Sequence, residues 1–101
     1  METVIFGMLK EEKQRNLEMQ ETHKREIESL PKGSIMKREI SGNDYYYLYY
    51  RQGGKVKFEY IGKDKLAVEA IKRDIEKQKY LQGVLKRLKL ECKQMTKIVK
   101  D

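Results

Sequence analysis

The stretch "YYYLYYRQGGKVKFEYIG", residues 45–62, holds six of the seven tyrosines of the chain. Aromatic and β-branched residues are typical of strands, and the glycine pair at 53–54 is typical of a turn between two strands. Just before it, "SIMKREI" (34–40) and "SGND" (41–44) predict a further strand and a further turn. Residues 34–62 therefore predict a three-stranded antiparallel β-meander.

Helix-forming composition flanks this meander on both sides. Residues 7–30 are rich in Glu, Lys, Gln, Leu and Met, and Pro31 disfavours helix at the residue before it. Asp64 is a suitable N-cap for a second helix over 64–99, and Gly83 predicts a kink or break within it. The sequence thus predicts a single α+β domain over residues 1–101, with an N-terminal helix, the meander and a long C-terminal helix.

The C-terminal helix carries an apolar seam with alternating spacings of four and three residues. It consists of Leu81, Leu85, Leu88, Cys92, Met95 and Val99. Strands of about 23 Å are too short to cover a helix of about 54 Å, so this seam requires a helical partner. One candidate is the N-terminal helix, whose own seam is apolar only at its ends: Phe6, Leu9, Lys13, Asn16, Gln20, His23, Ile27 and Leu30. The other is a second copy of the chain, which would form a homodimeric coiled coil.

The turn between the second and third strands decides which tyrosines are buried. We expect a three-residue loop at 52–54, which sets Leu48 opposite Phe58 and gathers an apolar core of Tyr46, Leu48, Tyr50, Val56, Phe58 and Tyr60. The opposite face, with a similar turn after the first strand, then collects Lys37, Tyr45, Tyr47, Tyr49, Arg51, Lys55 and Lys57. Rings interleaved with cations are typical of nucleic-acid binding. The alternative is that the N-terminal helix covers these tyrosines.

The net charge of +7 is unevenly distributed. Residues 1–30 carry 5 basic and 7 acidic groups, residues 31–63 carry 7 and 3, and residues 64–101 carry 11 and 6. A basic surface favours nucleic acid or an acidic protein face, although such helices are also typical of solvated surfaces. We expect no membrane span and no signal peptide. The lone Cys92 excludes an internal disulfide, so we expect a reducing, cytoplasmic setting.

The segment "GSIMKREISGNDYYYLYYRQGGKVKFEYIGKDKLAVEA" resembles the arm-type DNA-binding domain of tyrosine recombinases. Those domains have three antiparallel strands and a packed helix, and their sheet face reads DNA in the major groove. The matching features are the "GSI" entry, the aromatic second strand, the "R-x-G-G-K-x-K" turn and the helix opening with Ala67 and Ala70. The resemblance implies DNA contacts at the seven residues of the predicted binding face. The chain is also similar to small bacterial and mobile-element proteins, which implies a phage or mobile-element setting.

Enzymatic chemistry finds no support in the sequence. His23 lies on a polar helix and Cys92 on an apolar seam, and no phosphate-binding loop occurs. We expect neither metal nor cofactor. Three functions stay open: a nucleic-acid-binding protein, with DNA as the expected ligand; an inhibitor that blocks the nucleic-acid channel of a host nuclease, such as an RNA-guided (CRISPR) nuclease; and a structural coiled-coil homodimer.

Overall fold

The computed structural model describes residues 3–99 and has the predicted α+β architecture. Helix α1 spans Val4–Ser29 and helix α2 spans Lys65–Val99. Between them lie strand β1 (Ser34–Ile40), strand β2 (Asn43–Gln52) and strand β3 (Lys55–Gly62). The three strands form one antiparallel sheet in the order β1-β2-β3, which confirms the predicted meander.

Helix α2 begins as its N-cap predicts and continues without a break. The Asp64 Oδ1 atom accepts a hydrogen bond from the Leu66 amide at 3.0 Å, and this satisfies one of the free amides of the first turn. Of the kink or break predicted at Gly83, the break is wrong, because α2 is helical through that residue. A single glycine costs a helix only about 1 kcal/mol, which contacts made by the flanking turns can offset.

The chain divides into two compact units, and the first joins α1 to the part of α2 that starts at Tyr80. The Asn16 Nδ2 atom donates a hydrogen bond to the Leu88 carbonyl oxygen at 2.9 Å. The Gln20 Nε2 atom donates to the Asn16 Oδ1 atom at 2.7 Å, and both side chains are buried. This interhelical contact makes a helical hairpin of α1 and the second half of α2, so the first of the two predicted partners, the N-terminal helix, does contact the seam.

The hairpin buries the predicted seam of α2 to different extents. Leu81 and Leu88 are buried, whereas Leu85, Cys92 and Met95 are half-buried. The Val99 side chain lies outside the part of the chain that the structure describes. On α1, the buried stripe has polar residues at its centre, as predicted, with Asn16 and Gln20 as its most buried members. The seam therefore has a partner within the chain.

The second unit comprises residues 30–79, and its sheet register differs from the prediction. Gln52 pairs with Lys55, so the β2–β3 turn contains only Gly53 and Gly54. Leu48 therefore lies opposite Glu59, and the three-residue loop that would place it opposite Phe58 is wrong. The β1–β2 turn is likewise a two-residue turn, because Ile40 pairs with Asn43.

Backbone geometry explains the shorter turns. Gly53 and Gly54 both have positive φ angles, of 59° and 78°, and so do Ser41 and Gly42, at 52° and 81°. Two consecutive residues with positive φ form a type I′ turn, whose twist matches that of the strands it joins. The expected gain from pairing apolar residues did not outweigh this turn preference.

The apolar core of the second unit is correspondingly small. Its buried apolar side chains are Leu48 of β2 and Val68 and Ile75 of α2. Ile35, which pairs with Leu48, lines the same groove as Ile75, so this face of the sheet packs on α2. The prediction that Val56, Phe58 and Tyr60 belong to the core is wrong, because all three are exposed, and of the predicted tyrosines Tyr46 and Tyr50 are half-buried.

Candidate nucleic-acid interface

The register defines two faces of the sheet, because directly opposed residues of antiparallel strands point to the same side. The inner face contains Ile35 and Leu48. We call the opposite side of the sheet the outer face. It consists of Ser34, Met36, Arg38, Ile40, Asn43, Tyr45, Tyr47, Tyr49, Arg51, Val56, Phe58 and Tyr60. Five of these twelve residues are aromatic, so most of the rings of the meander lie on one surface.

These five rings form two clusters on the outer face. The Tyr60 ring lies between those of Tyr45 and Tyr47, with centroid separations of 6.4 and 5.4 Å, and the rings are tilted to one another. The Tyr49 and Phe58 rings are 6.1 Å apart. Tyr60 is 60% exposed, Phe58 57% and Tyr49 40%. Tyr45 and Tyr47 are half-buried, so the surface available to a ligand is mainly that of the other three rings.

The charges of the outer face are all positive. Arg38 and Arg51 are exposed there, and the Lys63 Nζ atom lies 4.9 Å from the centroid of the Tyr45 ring. The three carboxylates of the strands, Glu39, Asp44 and Glu59, fall on the inner face. The outer face therefore combines aromatic surface with cations and has no carboxylate among its twelve residues.

Three residues of the predicted binding face lie on the other side of the sheet. Lys37 pairs with Tyr46, Lys55 with Gln52 and Lys57 with Tyr50, which places all three lysines on the inner face. The prediction that they share a surface with Tyr45, Tyr47, Tyr49 and Arg51 is wrong, because each turn is one residue shorter than expected. The Lys37 Nζ atom instead lies 4.0 Å from Asp44 Oδ2.

The inner face includes a tyrosine–glutamate hydrogen bond beyond its apolar part. The Tyr50 hydroxyl donates to the Glu59 Oε1 atom at 2.9 Å. This hydrogen bond raises the pKa of Tyr50 above its ordinary value of 10.0, because the phenolate could no longer donate it. The pair shows how the sheet accommodates a glutamate opposite Leu48: the carboxylate is exposed and bonded to a neighbouring side chain.

Sequence reasoning missed Arg38, Phe58 and Tyr60 as members of this surface. The signal that would have found Phe58 and Tyr60 is the glycine pair at 53–54, since Gly-Gly is among the preferred dipeptides of two-residue hairpin turns. With that turn, the alternation of β3 places Val56, Phe58 and Tyr60 beside the tyrosines of the outer face. The face of Arg38 depends instead on the two-residue turn at Ser41 and Gly42.

Other chemistry is sparse in the described part of the chain. Among residues 3–99, no three His, Cys, Asp or Glu side chains are grouped so that they could hold a metal ion. The His23 Nδ1 atom lies 3.1 Å from Glu26 Oε1, and Cys92 is a half-buried free thiol. No helix within this range is long and apolar enough to cross a membrane.

The sequence profile of one protein family, described as a domain of unknown function (DUF6788), matches residues 9–73 of the 101 residues. The chain belongs to this family. The DUF6788 segment includes most of α1, the whole sheet and the start of α2, so the outer face lies entirely within it. No curated protein and no solved structure was found to be similar to the chain. The resemblance to arm-type domains stays a prediction.

Proposed function

We propose that this chain is a non-enzymatic nucleic-acid-binding protein that binds unpaired bases on the outer face of its sheet. The observation that carries the proposal is the composition of that face: five aromatic rings, two arginines and no carboxylate. Nucleic acid offers the two complementary groups, flat bases and negatively charged phosphates.

The rings supply a surface on which bases can stack. Every base has a π-face, so stacking on exposed rings is tolerant of sequence and contributes roughly 1–3 kcal/mol per base. Tyr49, Phe58 and Tyr60 each expose 40% or more of their surface. Tyrosine also retains a hydroxyl group that can contact a sugar or phosphate.

The cations supply contacts to phosphate. Arg38 lies on the outer face of the edge strand β1, and Arg51 lies on the same face near the β2–β3 turn. Guanidinium groups bind phosphate oxygens with two parallel hydrogen bonds. On a single strand, each phosphate that the protein neutralises makes the slope of log K against log salt more negative by about 0.7. Binding by this face should consequently weaken as salt rises.

Single strands fit this surface better than duplex. The bases of a duplex are stacked on one another and paired, and a ring on a flat sheet cannot reach their faces without unstacking them. DNA is the first nucleic acid to test, in both single-stranded and duplex form, because the domains that residues 33–70 resemble read DNA in the major groove.

A protein partner is the second candidate, and the apolar members of the outer face favour it. Met36, Ile40 and Val56 lie there beside the rings and arginines. Aromatic residues, Met and Arg are enriched at the centres of protein interfaces, where carboxylates are depleted. A host nuclease whose nucleic-acid channel this face occupies, as in phage or mobile-element inhibitors, would be such a partner.

Fluorescence anisotropy with labelled single-stranded and double-stranded DNA and RNA, at low and near-physiological salt, tests the proposal. We expect single strands to bind more tightly than duplexes. Tyr49→Leu on the outer face should weaken binding about fivefold or more, and Tyr50→Leu on the inner face should leave it unchanged. Absence of binding at low salt would reject the nucleic-acid proposal and leave the protein partner as the explanation of this face.

A further inference from the structure

Within residues 3–99, the outer edge of strand β3 pairs with no other strand. The sheet order β1-β2-β3 makes β3 an outer strand, and its first six residues, 55–60, are all exposed. The strand is eight residues long and contains no proline. Strands of this kind expose backbone N–H and C=O groups, which can pair with a strand from another chain.

The hairpin fixes which backbone groups point outward at this edge. In a two-residue hairpin the residues that close the turn exchange hydrogen bonds, and this pattern then alternates along the strands. Lys55 closes the turn with Gln52, so the backbone groups of Lys55, Lys57 and Glu59 point towards β2. Those of Val56, Phe58 and Tyr60 consequently point away from the sheet and are available to a new strand.

We propose that two copies of this chain pair through their β3 edges, antiparallel, with Phe58 on the twofold axis. In this register Phe58 lies opposite Phe58 of the second copy, and Val56 lies opposite Tyr60. On the inner face, Lys57 lies opposite Glu59 of the second copy. The twofold symmetry places Glu59 opposite Lys57 of the second copy in the same way. Within residues 56–60 each apolar side chain meets an apolar one, and both lysine–glutamate pairs are of opposite charge. Ile61, where the β2–β3 register shifts, lies opposite Lys55.

Neighbouring registers lack this complementarity. Moving the axis to Lys57 sets Lys57 opposite itself, and moving it to Glu59 sets two glutamates opposite one another, which is destabilising. An axis placed midway between two neighbouring residues of β3 would set outward-pointing backbone groups opposite inward-pointing ones. The other edge strand, β1, has Lys37 at its midpoint, so the corresponding pairing there would set two lysines together.

The Tyr50–Glu59 hydrogen bond is compatible with this pairing. Tyr50 bonds only the Oε1 atom of Glu59, which leaves the Oε2 atom for Lys57 of the second copy. Pairing would join the two sheets into one of six strands and make their outer faces continuous across Phe58. The dimer requires no nucleic acid, so the experiments that test it do not depend on the proposed function.

Charge reversal tests this pairing. Analytical ultracentrifugation of the full chain should show a dimer, and Lys57→Glu or Glu59→Lys alone should raise the dissociation constant about tenfold or more, because each creates two like-charge pairs. Mixing the two variants should restore the dimer, since one then has two carboxylates at positions 57 and 59 and the other two ammonium groups. Tyr50→Phe is the control: it removes the bond to Glu59, leaves the edge charges intact and should leave the dimer unchanged.

Cysteine crosslinking gives a second readout, because a disulfide traps the dimer even where it is weakly populated. Opposed residues of a hydrogen-bonded pair have Cα atoms about 5.5 Å apart, within reach of a disulfide. In a Cys92→Ser background, Phe58→Cys should form a disulfide-linked dimer under mild oxidation. Val56→Cys should not, because the two copies of position 56 would be about 13 Å apart, four residues along the strand.

Three results would overturn the proposal. They are a monomeric wild-type chain at high micromolar concentration, a dimer that both charge reversals leave intact, and crosslinking that is no more efficient at position 58 than at position 56. Circular dichroism of each variant would show whether it keeps the native helix and sheet content. A charge-reversal variant that does not fold would be replaced by the cysteine pair, whose outcome decides the question alone.

Discussion

Leu48 lies directly opposite Glu59 in the sheet, and this pairing sets the composition of both faces. Leu48 is buried, whereas Glu59 is exposed and accepts the hydrogen bond of Tyr50. With Leu48 and Glu59 on the inner face, Phe58 and Tyr60 must lie on the outer one. The exposed aromatic surface is thus a direct consequence of the two-glycine turn.

Gly33, which precedes β1, should tolerate no side chain. It has a φ of 116°, and a Cβ atom there would overlap the Tyr49 carbonyl oxygen and lie 2.9 Å from the Tyr50 Cβ atom. We expect Gly33→Ala to lower the free energy of unfolding by more than about 1 kcal/mol, in urea denaturation followed by circular dichroism.

Gly83→Ala is the matched control for that substitution. Gly83 lies inside α2, and apart from its chain neighbours and the adjacent helix backbone an added Cβ atom would meet nothing within 4 Å. Alanine should raise the free energy of unfolding by up to about 1 kcal/mol, because it favours helix more than glycine does. A Gly33→Ala variant as stable as the wild type would mean that the packing around Gly33 is not as described, and a loss of stability in Gly83→Ala would mean the same for Gly83.

The buried polar pair of the helical hairpin gives a second stability prediction. Asn16→Ala removes the donor to the Leu88 carbonyl and leaves the Gln20 amide without its acceptor. An unsatisfied buried group costs about 1–3 kcal/mol, and thermal denaturation should show a loss of this size. Gln14→Ala, which removes only an exposed 3.3 Å bond to Glu18, should change stability by less than about 0.5 kcal/mol.

The raised pKa of Tyr50 predicts a pH effect. While Glu59 is ionised, its hydrogen bond to Tyr50 stabilises the protein below the ordinary tyrosine pKa of 10.0, and this contribution is lost as pH rises through the higher folded value. Glu59→Gln should lower the Tyr50 pKa, as measured by ultraviolet titration of tyrosinate against a Tyr50→Phe reference. Glu39→Gln, which removes the same charge elsewhere on the inner face, should not. An unchanged titration in Glu59→Gln would show that the bond does not persist in solution.

The elements of the fold were predictable because their signals are local. The helices follow from composition and from the Asp64 cap, and the strands from alternating aromatic residues bounded by glycines. The buried stripe of α1 was also predictable, including its polar centre at Asn16 and Gln20, because helical spacing alone determines which residues share a side.

The binding face was only partly predictable, because it depends on a one-residue choice of register. Tyr45, Tyr47, Tyr49 and Arg51 share a face in any register, since alternation within β2 decides it. Which residues of β1 and β3 join them depends on turn length, and a change of one residue exchanges Lys57 for Phe58. The prediction gave the pairing of apolar residues more weight than the turn residues. Because this sheet buries few apolar side chains, the turn determined the register.

The central claim is that nucleic acid binds the outer face of the sheet, and one pair of variants tests it most directly. Arg51 and Lys55 lie close together at the β2–β3 turn but on opposite faces, and replacing either with Gln removes one positive charge. Anisotropy titrations with single-stranded DNA over a range of salt should show weaker binding for Arg51→Gln. The slope of log K against log salt should be less negative by about 0.7. Lys55→Gln should retain the wild-type affinity and slope. Equal losses in the two variants, or a larger loss for Lys55→Gln, would contradict the assignment of binding to this face.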